Sequence, residues 1–190
     1  MKNFLYQLIY RPYLLVLNLK KISLNFFLML NPALDISWSA SIDSGARISA
    51  FDGGNIKIGE NCYIGRGAKI EAKGGIINIG SNVFIGDYSV IVSQREVVIG
   101  DDCQIAENVI IRDQDHKFDN RPIRTSGFNA APILIENDVW IGSQSIILKR
   151  SKLLKGSIIG ANSLVNSTIN PFELAAGTPA KPIKQLNNPD

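Results

Sequence analysis

An aliphatic residue recurs at every sixth position through most of this chain, and this repeat constrains the fold more than any other feature. The repeating residues form an early series and a later one: Ile58, Ile64, Ile70, Ile79, Ile85, Ile91, Ile99, Ile105 and Ile111; then Ile135, Ile141, Ile147, Leu153, Ile159 and Val165. A period of six fits neither an amphipathic helix nor an isolated strand with alternating side chains. We therefore expect a repetitive architecture in place of a helical bundle or a sandwich.

A longer repeat is superimposed on the short one. Ile58 and Ile79 are 21 residues apart, and Ile79 and Ile99 are 20 apart. Three sides of six residues and a few corner residues make one turn of a triangular coil, in which each side is a short strand with one aliphatic directed to the axis. Stacked turns lie roughly 4.8 Å apart and together bury a core that no single turn could bury. The sequence predicts an all-β protein folded as a parallel β-helix.

Charge and cysteine content exclude several classes of protein. The formal net charge is +3, of which residues 1–34 supply +4 and the remainder −1, from 16 basic and 17 acidic residues. A nearly neutral body argues against a nucleic-acid-binding surface. The two cysteines, Cys62 and Cys103, are too few for a disulfide framework. We expect a reducing compartment, the cytoplasm, with the inner face of the membrane as the alternative.

Residues 1–34 differ from the rest and are predicted to form a short helical segment ahead of a β-helix domain over 35–190. Their apolar runs are interrupted at Arg11-Pro12 and Lys20-Lys21, so no run approaches the roughly 20 residues of a membrane span. No cleavage site of the signal-peptide type follows. Two interpretations stay open: packing against the β-helix or a neighbouring subunit, or peripheral membrane association of residues 1–30 with anionic lipid.

The repeat is interrupted by a polar loop over 112–132. This loop contains the only histidine of the chain, His116, together with Asp113, Asp115 and Asp119. Long loops on a regular scaffold often carry function. The three carboxylates are candidates for orienting the histidine or binding acceptor hydroxyls, and solvated loop charges are the alternative.

These features resemble the hexapeptide-repeat acetyltransferases over residues 36–183. The segment Asp113-Gln114-Asp115-His116, placed just before an extended loop, is similar to the one that carries the catalytic histidine in that family. The chain looks like the maltose and capsular polysaccharide O-acetyltransferase branch. The resemblance implies a left-handed β-helix, acetyl-CoA as co-substrate, no metal, and a homotrimer with active sites between subunits.

The resemblance also implies residue roles. His116 would act as general base, because an imidazole with a pKa near 6.5 can accept a hydroxyl proton at neutral pH. Coenzyme-binding residues would lie in the later coils and in the closing motif of the tail, 171–190: Trp140, Gly142, Ser143, Ala161, Lys181 and Lys184. The chain departs from the family where glycines are usual, at Arg150 and Leu154. The basic residues of that coil are alternative contacts for coenzyme phosphates.

The predicted function is an acetyl-CoA-dependent O-acetyltransferase acting on a sugar hydroxyl in capsule, O-antigen or exopolysaccharide synthesis. The acceptor would be a sugar or glycan, free or lipid-linked. One alternative is an N-acetyltransferase of an amino sugar or nucleotide sugar, because a histidine base serves either nucleophile. Another is a non-enzymatic β-helix used for assembly. A three-histidine zinc enzyme on this scaffold is excluded by the single histidine.

Overall fold

The computed structural model describes residues 31–118 and 122–187. The helical prediction for the N-terminal segment, including the membrane interpretation of residues 1–30, lies outside the described residues, and so does Asp119. In the part that is described, the chain is built from short β-strands and one 3-10 helix, Ile123–Thr125. The prediction of an all-β parallel β-helix is confirmed.

The strands form three parallel sheets, which are the three faces of a triangular coil. The first face contains β1 Leu34–Ile36, β4 Asn55–Ile58, β7 Ile76–Ile79, β10 Glu96–Ile99, β15 Ile133–Ile135, β18 Lys152–Leu153 and β21 Thr168–Ile169. The second contains β2 Ser41–Ile42, β5 Tyr63–Ile64, β8 Phe84–Ile85, β11 Gln104–Ile105, β16 Trp140–Ile141, β19 Ile158–Ile159, β22 Glu173–Gly177 and the antiparallel β23 Ala180–Gln185. The third contains β3 Arg47–Phe51, β6 Lys69–Lys73, β9 Val90–Ser93, β12 Ile110–Arg112, β17 Ile146–Leu148 and β20 Leu164–Val165.

The six-residue repeat supplies the core. Ile58 pairs in register with Ile79, Ile79 with Ile99, and Ile99 with Ile135. These residues are no more than 3% exposed. Full burial of one such side chain contributes about 1.5–3 kcal/mol, and stacking makes the columns continuous. The pairing of Ile99 with Ile135 continues across the loop, so the insertion leaves the register of the coils intact.

The corner between the first and second faces is made by residues that tolerate a left-handed backbone. Asn61, Asn82, Asp102 and Asp138 occupy equivalent positions with φ between 55° and 60°. Asn and Asp adopt this conformation more readily than most residues. Their side chains also link successive coils, because Asn61 Nδ2 donates to Asn82 Oδ1 at 3.3 Å and Asn82 Nδ2 donates to Asp102 Oδ1 at 2.9 Å.

The two cysteines fill interior positions beside this corner. Cys62 and Cys103 are unpaired and at most 1% exposed. Each thiol donates to a carbonyl of the next coil, Cys62 Sγ to Gly80 O at 3.0 Å and Cys103 Sγ to Glu136 O at 3.1 Å. Burial raises the pKa of the Cys103 thiol to about 11. Among the residues that the structure describes, no helix has the length and apolarity needed to cross a bilayer.

Candidate active site

An antiparallel hairpin, formed by β13 Gln114–His116 and β14 Phe128–Ala130, presents His116 outside the coil. His116 pairs in register with Phe128, and their ring centroids are 4.5 Å apart with an interplanar angle of 37°. His116 is exposed and lines a cavity of about 420 Å³ with Lys117, Phe118 and Asn129. The hairpin therefore holds the imidazole at the edge of an open cavity large enough for part of a small substrate.

Asp113 anchors the base of this hairpin. Its side chain is 0% exposed. Oδ1 accepts a hydrogen bond from Gln94 N at 2.8 Å, and Oδ2 accepts from Ser93 Oγ, Arg95 N and Glu96 N at 2.8, 2.7 and 2.8 Å. Both oxygens are thus engaged with the corner of the preceding coil. The structure places this carboxylate in the interior, and we do not retain Asp113 among the candidate acceptor-binding groups.

Asp115 lies on the open side of the hairpin and is joined to the following coil, which contains Lys149. Lys149 Nζ lies 2.5 Å from Asp115 Oδ1 and 3.4 Å from Asn129 O. Because Asp115 belongs to β13 and Asn129 to β14, one ammonium group contacts both strands of the hairpin. Sequence reasoning did not find this role for Lys149, since the two partners are 34 residues apart.

A second concave site, here called the corner groove, lies where the second face meets the third. Four of the predicted coenzyme-binding residues line it together: Trp140, Gly142, Ser143 and Ala161. The groove has a volume of about 420 Å³, and its other lining residues are Ala106, Glu107, Ile158, Ile159, Gly160 and Leu174. Its lining residues belong to four successive coils, so the groove runs along the axis of the β-helix.

Close backbone contacts shape the floor of the corner groove. A Cβ atom added at Gly142 would lie 2.6 Å from Ala161 N, and one added at Gly160 would lie 2.8 Å from the Ala176 Cβ. Glycine is therefore required where these coils approach each other. Trp140 is 52% exposed and stands at the side of the groove. The arrangement leaves an elongated channel with one aromatic wall.

The two predicted lysines of the tail lie on β23, at the end of the second face. Lys184 pairs in register with Leu174, which lines the corner groove, and Lys181 pairs with Ala176. Both lysines are exposed. Opposed residues of an antiparallel pair lie within roughly 5 Å of each other at Cβ. The structure thus places Lys184 next to one end of the groove, with Lys181 further along the same strand.

The hairpin and the corner groove belong to different corners of the same chain. The hairpin leaves the coil where the third face meets the first, after Arg112, whereas the groove begins at Ala106. Six residues of extended chain separate these two positions, a span of at most roughly 20 Å. Within the described ranges, no group of three or more His, Cys, Asp or Glu side chains is arranged to hold a metal ion.

Comparison with known proteins identifies the family. Residues 76–112 match the family described as the hexapeptide repeat of succinyl-transferase. The chain is 34% identical over 145 residues to the "putative lipopolysaccharide biosynthesis O-acetyl transferase WbbJ" of Escherichia coli K12, an alignment that covers 71% of this chain and 74% of that protein. The galactoside O-acetyltransferase of Escherichia coli K12 is 36% identical over 100 residues, which cover 53% of this chain and 49% of that protein.

Several solved structures share the fold, including an acetyltransferase and an N-acyltransferase. The hexapeptide-repeat acetyltransferase VCA0836 of Vibrio cholerae, complexed with acetyl coenzyme A, is 27% identical with a TM-score of 0.63, covering 76% of this chain and 73% of that one. AntD, an N-acyltransferase of Bacillus cereus in complex with dTDP and 3-hydroxybutyryl-CoA, is 20% identical with a TM-score of 0.73, covering 86% and 88%. The chain belongs to the hexapeptide-repeat acetyltransferases and has their β-helical fold.

Proposed function

We propose that this protein transfers an acetyl group from acetyl-CoA to a sugar hydroxyl, with His116 as the general base. The observation that carries the proposal is an exposed imidazole held on a hairpin of the same chain that forms a groove from Trp140, Gly142, Ser143 and Ala161. The VCA0836 structure, which contains acetyl coenzyme A, supports the choice of donor.

In the proposed reaction, His116 accepts the proton of the acceptor hydroxyl as the oxygen attacks the thioester carbonyl. The same proton then passes to the departing thiolate, so the imidazole returns to its neutral form and coenzyme A leaves as the thiol. The thioester is already activated, and no protein nucleophile is needed. The Phe128 ring packs against the His116 ring with 4.5 Å between centroids, and this contact favours one orientation of the imidazole.

The separation of hairpin and groove supports an active site shared between subunits. In a ring of three chains, the hairpin corner of one protomer would face the corner groove of the next. The outer side of the third face, which joins these corners, is apolar at Ile110, Ile146 and Leu164, which pair in register. Ile110 is 37% exposed in the single chain. These observations favour a homotrimer with one composite site at each interface.

The acceptor class follows from the relatives. WbbJ is named as an O-acetyl transferase of lipopolysaccharide biosynthesis, which favours a sugar of a cell-surface glycan, free or lipid-linked, as the acceptor. The second candidate is N-acylation of an amino sugar or a nucleotide sugar, because AntD is an N-acyltransferase with dTDP bound. The unpaired cysteines and the use of acetyl-CoA favour a cytoplasmic location.

The proposal is tested by thiol release from acetyl-CoA with a panel of acceptors: neutral hexoses, amino sugars, sugar phosphates and nucleotide sugars. We expect acceptor-dependent release, with mass spectrometry locating the acetyl group on oxygen. Acetylation confined to amino groups would select the second candidate. An absence of acceptor-dependent release across the panel, with folded protein and bound coenzyme, would contradict both enzymatic proposals and favour the assembly role.

A further inference from the structure

A small cavity beside the hairpin, here called the hairpin pocket, belongs neither to the corner groove nor to the cavity at His116. Its volume is about 340 Å³, and its lining residues are Gln114, Asp115, Leu148, Lys149, Arg150 and Asn166. It lies between β13 and the two coils that follow the hairpin in the chain. It therefore adjoins the strand that carries His116 while remaining a separate concavity.

The charges of the hairpin pocket do not cancel. Lys149 is paired with Asp115, whereas Arg150 has no ion-pair partner in the ranges 31–118 and 122–187. Two cations and one carboxylate leave a net charge of +1. A free guanidinium presents donors in a planar fork that matches the oxygens of a phosphate. The pocket is thus suited electrostatically to an anion.

Gln114 supplies an independent sign of a missing partner. Its side chain is only 5% exposed, it lines the pocket, and its Oε1 has no hydrogen-bond partner among the described residues. Buried polar atoms are nearly always paired, so an orphaned one calls for a ligand. A side-chain amide both donates and accepts hydrogen bonds. A sugar phosphate matches this amide, because a sugar hydroxyl can donate to the orphaned Oε1 while a phosphate oxygen accepts from Nε2.

We propose that the hairpin pocket binds the phosphate of a phosphorylated acceptor, and so selects a sugar phosphate or a diphosphate-linked sugar over a neutral glycan. This inference rests on the proposed function. Gln114 and His116 are two residues apart on β13, which is roughly 7 Å along the same side of the strand. A phosphate that accepts hydrogen bonds from the Arg150 guanidinium and from Gln114 Nε2 would leave the attached sugar ring beside the imidazole.

The position of the pocket favours acceptor phosphate over coenzyme phosphate. Lys184 lies beside Leu174 at one end of the groove, and the phosphates of a coenzyme bound there are separated from its thioester by the length of the pantetheine arm. The pocket, in contrast, lies on the strand that carries the general base. The hairpin pocket therefore adjoins the place where the acceptor hydroxyl must be deprotonated.

The test measures binding of inorganic pyrophosphate to the full chain by calorimetry. Arg150→Gln is a suitable variant because Gln144 already adopts the left-handed backbone that Arg150 has, with φ 61° against 70°. Gln114→Leu is the second variant, and Lys152→Gln is the control, since Lys152 is exposed and lies outside the pocket. We expect Arg150→Gln to weaken pyrophosphate binding at least ~10-fold and Lys152→Gln to change it less than about twofold.

Further arms of the experiment separate the possible ligands. We expect acetyl-CoA affinity to be unchanged in Arg150→Gln, and glucuronate, a sugar carboxylate, to bind more weakly than glucose 1-phosphate. The proposal is overturned if pyrophosphate does not bind, or if Lys152→Gln and Arg150→Gln weaken its binding equally. It is also overturned if the affinity for acetyl-CoA falls together with that for pyrophosphate, or if glucuronate binds as tightly as glucose 1-phosphate. Because binding is measured without turnover, these results are independent of whether acetyl transfer occurs.

Discussion

Ser93 and Asp113 form a fully buried hydrogen bond, with 2.8 Å between Ser93 Oγ and Asp113 Oδ2, across successive coils at the corner from which the hairpin departs. Three backbone amides of the same corner also donate to the Asp113 carboxylate. A single side chain therefore satisfies four donors and fixes the point where regular coil gives way to hairpin. Its exposed neighbour His116 depends on this anchor for its position.

Asp113→Ala is expected to lower the free energy of unfolding by at least ~2 kcal/mol, because buried donors left without an acceptor each cost about 1–3 kcal/mol. Chemical denaturation measures the change. Asp115→Ala is the matched control, since its ion pair is partly exposed and such pairs contribute about 0–1 kcal/mol. Equal stability of the two variants would contradict the anchoring role of Asp113.

His116→Ala is expected to reduce kcat at least ~10²-fold, the usual scale for loss of a general base. The melting temperature should not change, because the His116 side chain is exposed. Lys57→Ala, at an exposed lysine of the first face outside the described cavities, is the control and should retain most of the activity. Steady-state kinetics on an acceptor identified in the panel provide the measurement, and full turnover by His116→Ala would remove the imidazole from the mechanism.

Ala161→Leu is expected to raise the KM for acetyl-CoA about tenfold or more, because the larger side chain would occupy the corner groove where the coenzyme must lie. Ala161 is exposed in the single chain, so the core is not disturbed. Ser44→Leu is the matched control, since Ser44 occupies the same turn position in the first coil. If both variants kept the wild-type KM, the groove would not be the coenzyme site.

Both thiols are expected to resist a thiol-specific reagent at pH 8 while the protein is folded. Burial raises the pKa of Cys103 to about 11 and also raises that of Cys62, and the thiolate is the reactive species. Denaturation should release two reactive thiols, and Cys103→Val should release one. The valine is expected to fit, because Val83 and Val139 occupy the same interior position in other coils. Rapid labelling of the native protein would contradict this packing.

The protein is expected to lose stability as the pH falls, partly because the Glu71 carboxylate becomes protonated. Burial of its carboxyl opposes ionisation, but Lys73 and Lys69, at 3.0 and 3.1 Å, outweigh this and lower the pKa of Glu71. A lowered folded-state pKa gives stability that is present above the unfolded value, near 4.3, and is lost as the pH falls through the folded value.

The measurement for Glu71 is thermal unfolding between pH 7 and pH 3. The wild-type protein should melt above Glu71→Gln at neutral pH, and the difference should shrink as the pH falls below about 4. Glu60→Gln, at an exposed carboxylate, is the control. A difference between wild type and Glu71→Gln that stayed constant over the whole range would refute the linkage.

The fold was predictable from the sequence because its determinant is local and periodic. An aliphatic at every sixth position places one apolar side chain on each face of a triangular coil, and the 20- or 21-residue repeat stacks equivalent residues such as Ile58, Ile79 and Ile99 in register. The interruption over 112–132 was equally visible, because the period stops there and resumes at Ile135. The grouping of Trp140, Gly142, Ser143 and Ala161 followed from the family resemblance.

The environment of each loop carboxylate was decided only by the tertiary structure. Asp113 meets donors 17 to 20 residues away in the preceding coil, and Asp115 meets Lys149, 34 residues away in the following coil. Asp113 and Asp115 are both acidic loop residues beside the same histidine, yet one is buried and the other is exposed. Local sequence fixes the spacing of side chains along a strand. Contacts between coils depend instead on how far the hairpin folds back over the β-helix, and only the complete tertiary structure determines that.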